Sequence, residues 1–384
     1  MPSPHTCVQD LSTECLETMP SFLGSAFTKF FPWHTPRDAV GIDIGSFSTK
    51  VVQLHYASER AFLVTYGEAI HAQHITPKEA RGNGMLRYLD DDLAQLIARL
   101  LQEARVTTKN AVFSIPSQNS FLTSISFPKL DPKELERAIE FEASKYIPIP
   151  LAEVVIDWET LPVQTENQQT TVLLAAIPRD VIEKIIRITT LTNLTLDAIE
   201  LEASAMASAL IARSPLPTAI LNIGHQASVL TVVDKGIVRM AYTLNEGSGK
   251  LTKALEAGLG VNEERAEAVK RDIGLSERPE EQEIASIMIP FVETLLYEVE
   301  RILQIYHRTA PRRIQKINLT GGGTHLRGLI EITASRLGME VTRGNAFARI
   351  VAPALMQTLL REISPSFSTA IGLTLSALTP QSSN

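Results

Sequence analysis

From Val40 onward the chain alternates short β-rich apolar runs, separated by Gly, with amphipathic stretches of helical period. That alternation predicts α/β layers. Runs 40–44 and 49–54 flank Gly45-Ser46-Phe47-Ser48 and predict a hairpin. A polar-capped helix over 90–103 and a strand over 110–115, stopped by Pro116, follow. Next come a helix over 132–146, a turn punctuated by Pro148 and Pro150, and a strand over 154–161. The polar stretch 164–169 reads as a hairpin loop into a strand over 171–176, and a helix starts at Arg179. Residues 119–195 therefore have the pattern of a small α+β insert.

The apolar pattern then repeats. Residues 219–224, a polar turn and a strand over 228–233 echo 40–54 in order and residue type, with Asn222 standing 179 residues after Asp43. A spacing this long marks a duplicated domain rather than a solenoid, whose period is about 20–50 residues. Two similar halves commonly leave a ligand-binding cleft between them.

Residues 1–38 read as a tail. Within it Phe22, Leu23, Ala26, Phe27, Phe30 and Phe31 recur at helical spacing. This aromatic face suits docking on a partner or a bilayer surface, and equally packing on its own domain. The 384 residues carry 36 Lys and Arg against 43 Asp and Glu, a net charge of −7, which gives no overall attraction to nucleic acid or anionic lipid. The two cysteines, Cys7 and Cys15, build neither a disulfide scaffold nor a four-cysteine zinc site and fit a reducing cytoplasm. No apolar run of about 20 residues occurs, and the N-terminus lacks the basic start and apolar stretch of an export signal. A soluble chain, neither exported nor membrane-spanning, is the expectation.

Three motifs carry chemistry. In Gly41-Ile42-Asp43-Ile44-Gly45-Ser46-Phe47-Ser48-Thr49-Lys50, backbone N–H groups of the turn can converge on an anion, hydroxyls add donors, and Lys50 neutralises phosphate charge. Asp43 at the strand end can hold Mg²⁺ through water. An ordinary tight hairpin with a buried capping Asp accounts for the same residues. The second hairpin carries Asn222, Ile223, Gly224, His225 and Gln226 at the equivalent place. Asn brings no negative charge and cannot serve as a base. Third, Ile317-Asn318-Leu319-Thr320-Gly321-Gly322-Gly323-Thr324 predicts a strand running into three glycines and then a helix with Leu326, Leu329, Ile330 and Leu337. Backbone there can lie against a flat base or a phosphate, with helix N–H donors behind it. Neither a Walker loop nor a dinucleotide fingerprint is present.

The order of these signals is an Asp-x-Gly hairpin, an insert, an Asn-x-Gly hairpin, a helical segment and a strand-Gly-Gly-Gly turn. It resembles the actin, chaperone and sugar-kinase ATPase superfamily, and within it the type IV pilus assembly PilM family, related to the division protein FtsA. The resemblance covers about residues 22–378. It is strongest in 41–54, in Phe141-Glu142-Ala143-Ser144-Lys145-Tyr146-Ile147-Pro148-Ile149-Pro150 leading to Val154-Val155-Ile156-Asp157-Trp158, and in 365–378. The Tyr-Ile-Pro-x-Pro turn is the most specific part, because general ATPases of the superfamily lack it.

The resemblance implies an α/β, actin-like (ribonuclease H-like, duplicated) two-lobed fold with a 1C subdomain. Residues 39–118 would begin subdomain 1A and 119–195 would form 1C. Residues 196–215 and 365–384 would complete 1A, 216–250 and 315–364 would form 2A, and 251–314 would form 2B. It also implies ATP with Mg²⁺. Gly45, Ser46, Phe47, Ser48 and Lys50 would meet the phosphates, with Asn222 and Gly224 from the second loop. Gly247 and Ser248 would lie near ribose and phosphates, Glu267 and Lys270 at ribose and base, and Gly321, Gly322, Gly323 and Thr324 beneath the adenosine. Glu267 and Lys270, three apart on one helix face, equally suit a solvent-exposed ion pair. The family usually has Asp at the place of Asn222 and a Gly pair at Gly247-Ser248, so ATP binding with weak or absent hydrolysis is expected. In the connecting helix, Glu200 and Glu202 precede an Ala/Ser-rich face. Glu202 is the remaining carboxylate for orienting water, or else a cap on its helix.

By the same resemblance the protein would sit at the inner face of the inner membrane, peripheral and cytoplasmic. It would serve pilus biogenesis and twitching motility. It would bind the N-terminal tail of PilN in a groove of 1A and 1C and link the PilN, PilO and PilP platform to the motor proteins. ATP would bias lobe closure rather than drive turnover. The alternative is an FtsA-like division adaptor that binds ATP, self-associates and polymerises. Its usual C-terminal amphipathic helix is not found after Leu378. A kinase of the superfamily would need a carboxylate base beside an acceptor pocket, and no such motif precedes the insert.

Overall fold

A computed structural model describes residues 37–75, 84–161, 169–211, 214–310 and 312–378. The expected aromatic face at 22–31, and all but Gln169 of the 164–169 loop, lie outside them. The chain divides into two units, Met1–Ser208 with Thr369–Asn384, and Ala209–Ser368.

The first unit opens with the antiparallel strands β1 (Asp38–Ile44), β2 (Ser48–Ala57) and β3 (Arg60–Ile70). Helix α1 (Asp90–Glu103) buries Leu93, Ala94, Leu96, Ile97 and Leu100, a stripe at three- and four-residue spacing, and three aspartates in its first turn favour its N-terminus. Strand β4 (Asn110–Ile115) pairs parallel with β1. The insert follows: β5 (Phe121–Phe127), α2 (Pro132–Tyr146), β6 (Val154–Leu161), β7 (Thr170–Pro178) and α3 (Arg179–Leu191). Strand β8 (Thr195–Leu201) closes a five-stranded sheet of order β3-β2-β1-β4-β8, while β5-β7-β6 form a separate sheet.

Local chemistry fixes the insert. Asp131 caps α2 by accepting from the N–H groups of Lys133 (3.0 Å) and Glu134 (2.9 Å), while Glu134 accepts from the Asp131 N–H. Pro132 occupies the first turn, and the helix stops at Ile147, the residue before Pro148. Leu135, Ile139 and Ala143 of α2 bury against Ile125, Phe127, Val172 and Leu174 of the sheet. Helix α3 is tied to α1 through Asp90, which receives Lys184 at 2.5 Å and Arg187 at 2.6 Å.

Helix α4 (Glu202–Leu210) leads into the second unit. There β9 (Thr218–Ile223), β10 (Ser228–Asp234) and β11 (Ile237–Leu244) are followed by α5 (Gly249–Leu259), α6 (Glu263–Ile273) and α7 (Gln282–Thr309). Then come β12 (Lys316–Thr320), α8 (Leu329–Leu337), β13 (Glu340–Arg343) and α9 (Gln357–Leu378). The sheet order β11-β10-β9-β12-β13 reproduces that of the first unit, which establishes the duplication read from the sequence. Its core joins Leu221, Leu230, Leu255, Met288, Leu296, Val299 and Leu319.

The C-terminal part of α9 packs in the first unit without side chains between. A Cβ on Gly372 would lie 1.8 Å from the Ala205 carbonyl oxygen, and one on Gly41 would lie 2.3 Å from that of Ala370. Among the described residues no helix is long and apolar enough to cross a membrane.

Candidate functional site

The two hairpins are built alike. The Gly45 N–H donates to the Ser48 carbonyl at 3.1 Å, and the Gly224 N–H donates to that of Ala227 at 3.0 Å. Asp43 faces Lys50 across β1 and β2, and Asn222 faces Val229 across β9 and β10. Directly paired residues project from the same face of a sheet. In the first unit this register extends over all five strands: Glu68 of β3 pairs with Lys50, Lys50 with Asp43, and Ser114 of β4 with Glu200 of β8. The Ser114 hydroxyl completes the row by donating to Asp43 Oδ1 at 2.7 Å.

The site residues of the first unit are thus held from both sides. Lys50 Nζ donates to Ser48 Oγ at 2.7 Å and lies 3.2 Å from Glu68 Oε1, and Ser48 Oγ donates to that same oxygen at 2.6 Å. Burial raises the Asp43 carboxyl above its usual range; Lys50 and Ser114 pull it back, and Glu68 adds to the rise. The turn carrying Ser46 and Phe47 is anchored from behind, where the His71 N–H donates to the Phe47 carbonyl at 3.0 Å. The buried His71 ring lies 2.9 Å from Thr49 Oγ1, and burial lowers its pKa to about 4, which keeps it neutral.

In the second unit the predicted residues form one interlocked set. Ser248 N–H donates to the Gly224 carbonyl at 2.8 Å, Gly249 N–H to that of His225 at 2.9 Å, and Lys250 N–H to that of Gly247 at 3.1 Å. Gly321 has φ +86°, and a Cβ there would fall 2.3 Å from Asn222 Oδ1. Asn222 Oδ1 therefore lies close against the glycine turn. The helix expected straight after the glycines starts later, which corrects the sequence reading. Gly322–His325 form a 3₁₀ turn, Leu326 lies outside any helix, and α8 begins only at Leu329. The reason is local: Thr324 N–H (3.2 Å) and Thr324 Oγ1 (2.7 Å) both donate to the Gly321 carbonyl, and Gly328 then takes a left-handed φ of +80°. Beside Gly322 a Cβ would meet nothing nearer than Ser366 Oγ at 4.0 Å, so this backbone offers open, flat surface.

Glu267 and Lys270 of α6 do form an ion pair, at 2.5 Å, but Lys270 is buried rather than solvent-exposed. Its ammonium also donates to Thr252 Oγ1 at 2.8 Å and to the Ser248 carbonyl at 3.4 Å. Burial raises the Glu267 carboxyl, but the bond and charge of Lys270 outweigh this and leave it below its usual range. Lys270 thereby joins α6 to α5 and to the Gly247-Ser248 turn, and Arg271 holds the other Glu267 oxygen at 3.0 Å.

Glu202 Oε2 accepts from the Ser117 N–H at 3.0 Å and so caps the turn that follows β4. Glu200 does not belong to the connecting helix, as the sequence reading placed it. It is in β8, buried, with Ser376 of α9 donating to it at 3.2 Å. Burial pushes its carboxyl up to about 8. Glu68, Ser114 and His71 were absent from the sequence reading, because their proximity to the loop depends on strand register that no local motif reports.

The family model of type IV pilus assembly protein PilM matches residues 41–378. Among solved structures, the chain is similar to one from the PilM-PilN type IV pilus biogenesis complex, at 25% identity and TM-score 0.77, with 90% of this chain and 100% of that chain covered. It is also similar to ethanolamine utilization protein EutJ from Carboxydothermus hydrogenoformans, at 17% identity and TM-score 0.52, covering 90% of each. MreB 5 of Spiroplasma citri bound to AMPPNP follows, at 11% identity and TM-score 0.50, with 88% of this chain and 94% of that chain covered. These last two likenesses concern the fold alone, and the fold is actin-like. Because the family match takes in both duplicated hairpins, the insert and the glycine turn, the chain belongs to the type IV pilus assembly protein PilM family.

Proposed function

We propose that the chain is an ATP-binding scaffold of the type IV pilus inner-membrane assembly complex that holds the cytoplasmic N-terminal tail of PilN. In this reading it links PilN, PilO and PilP to the pilus motor. The observation that carries it is the similarity over 90% of the chain to a protein of the PilM-PilN complex, together with the family match.

The donor set of the first unit suits a polyphosphate with its metal. Lys50 supplies a cation, Ser46, Ser48 and the turn N–H groups supply donors, and Asp43, steadied by Ser114, supplies one carboxylate for a hydrated Mg²⁺. The ion would neutralise phosphate charge and order water. In the second unit the open backbone at Gly322 suits a flat base, and Glu267 suits ribose hydroxyls. Asn222, turned to Gly321 and without charge, favours binding over fast hydrolysis.

For the tail, the insert offers exposed Phe141 (70%), Tyr146 (44%) and Leu151 (36%), with the Lys145 ammonium 5.0 Å from the Phe141 ring centroid. Exposed aromatics on a rigid helix are typical anchors for an extended peptide. Calorimetric titration with ATP·Mg²⁺, with and without a peptide copying the PilN tail, tests the reading. Binding of both with coupled affinities and little phosphate release is expected. Failure of the peptide to bind would remove the scaffold role, and failure of ATP to bind would remove the nucleotide.

A further inference from the structure

The five-residue row of the first sheet contains one cation and, beside it, two carboxylates. Lys50 is flanked on one strand by Asp43 and on the other by Glu68. Asp43 has a place in a metal-nucleotide site, whereas Glu68 has none, and an extra carboxylate beside a phosphate-facing lysine repels the phosphate. Yet Glu68 is held with care. Ser48 Oγ and Lys50 Nζ both reach Glu68 Oε1, at 2.6 and 3.2 Å, and Lys50 also donates to Ser48. The three side chains close a ring that fixes the lysine rotamer and leaves the Lys50 side chain 13% exposed against 36% for Glu68.

The second unit shows what the same row looks like without this duty. Its register aligns Thr243, Val229, Asn222 and Thr320 where the first unit has Glu68, Lys50, Asp43 and Ser114. Lysine and glutamate are thus both present in one copy and both absent from the other. An isolated structural ion pair on a sheet contributes little, on the order of 0–1 kcal/mol. Its place in the row directly beside Asp43 puts its main effect on the charge of the loop.

We propose that Glu68 is an internal counter-anion for Lys50: it occupies the ammonium in the free protein and is exchanged for an oxygen of a nucleoside polyphosphate, so that it sets the affinity of the phosphate loop. A lysine ammonium has three donors. Two point at Ser48 and Glu68, and the ligand's phosphate competes for the second. Glu68 is a positioning residue of the site, and the inference rests on the nucleotide reading above.

The test is ATP titration at low and high salt on the full chain and on Glu68→Gln, Lys50→Met and the double variant. Gln keeps the bond from Ser48 and loses the charge. Glu68→Thr, which copies the residue type of the other sheet, serves if Gln disturbs folding. Expected is about a five- to tenfold tighter ATP affinity for Glu68→Gln at low salt, shrinking at high salt and absent in the Lys50→Met background. Lys50→Met alone should weaken binding. If Lys50→Met weakens binding while Glu68→Gln leaves it unchanged or weaker, Glu68 is only a strand-pairing charge or a metal holder, and the counter-anion role is overturned with the nucleotide site intact. If Lys50→Met changes nothing, or neither wild type nor Glu68→Gln binds ATP, the nucleotide reading of the loop falls and this inference with it.

Discussion

Ser114 on β4 donates its hydroxyl to Asp43 on β1, at 2.7 Å, from a position with no solvent exposure. The bond steadies the Asp43 carboxylate, and it opposes the rise that burial imposes on it. Ser114→Ala should therefore push the Asp43 carboxyl further up and weaken Mg²⁺-dependent ATP binding by about 1 kcal/mol, roughly fivefold, with little effect on binding without metal. Calorimetry with and without Mg²⁺ checks this; equal losses in both conditions would place Asp43 away from the metal.

Gly372 allows α9 to touch the backbone of α4. A methyl group there would sit 1.8 Å from the Ala205 carbonyl oxygen, inside any permissible contact. Gly372→Ala should cost more than about 3 kcal/mol or abolish folding. Gly338→Ala, whose Cβ would meet nothing within 4 Å, should cost only the strain of its φ of +62°, on the order of 1 kcal/mol. Thermal or denaturant unfolding of the two variants side by side gives the contrast.

Glu200 ties stability to pH. Its folded-state carboxyl, raised by burial from 4.5 to about 8, binds a proton that the unfolded chain has released across that window. Stability should fall as pH rises from about 4.5 to 8, by at most about 1.4 kcal/mol per pH unit, and level off above. Glu200→Gln should flatten the slope. Urea midpoints of both proteins between pH 5 and 9 test it; parallel slopes would show that Glu200 is ionised when folded.

Phe141 is 70% exposed and ends no buried cluster, so Phe141→Ala should leave stability within about 0.5 kcal/mol. If it anchors the PilN tail, the same change should weaken peptide binding about tenfold or more. Titration of the peptide into the folded variant separates the two effects.

Where the sequence states its own stop signals, structure follows residue by residue. Helix 132–146 begins at an Asp-Pro cap with Glu134 in place and ends before Pro148, and strand 110–115 ends at Pro116. The hairpins were legible because Asp-x-Gly and Asn-x-Gly recur at matching distance. Strand β8 was not, because Thr195–Leu201 runs without a break into the Ala/Ser-rich helix, so Glu200 read as helical. The row Glu68-Lys50-Asp43-Ser114-Glu200 was invisible for another reason. Its members are brought level by pairing among five strands, with a bulge at Gln53/Leu54 and another at Ala111/Val112 shifting the count. A single altered register would place different side chains beside Lys50.

Pro365 lies inside α9 and has no N–H to give the preceding turn. Its own carbonyl accepts from Thr320 Oγ1 at 2.7 Å and from the Gly321 N–H at 2.9 Å. The glycine turn is thus hung on a main-chain oxygen, and of the two donors one is itself main chain. Such an attachment is written in backbone shape rather than in side-chain identity. Residues around it can drift over generations without shifting the turn, while any change that reshapes the helix at this point would move the turn even with every one of its glycines intact.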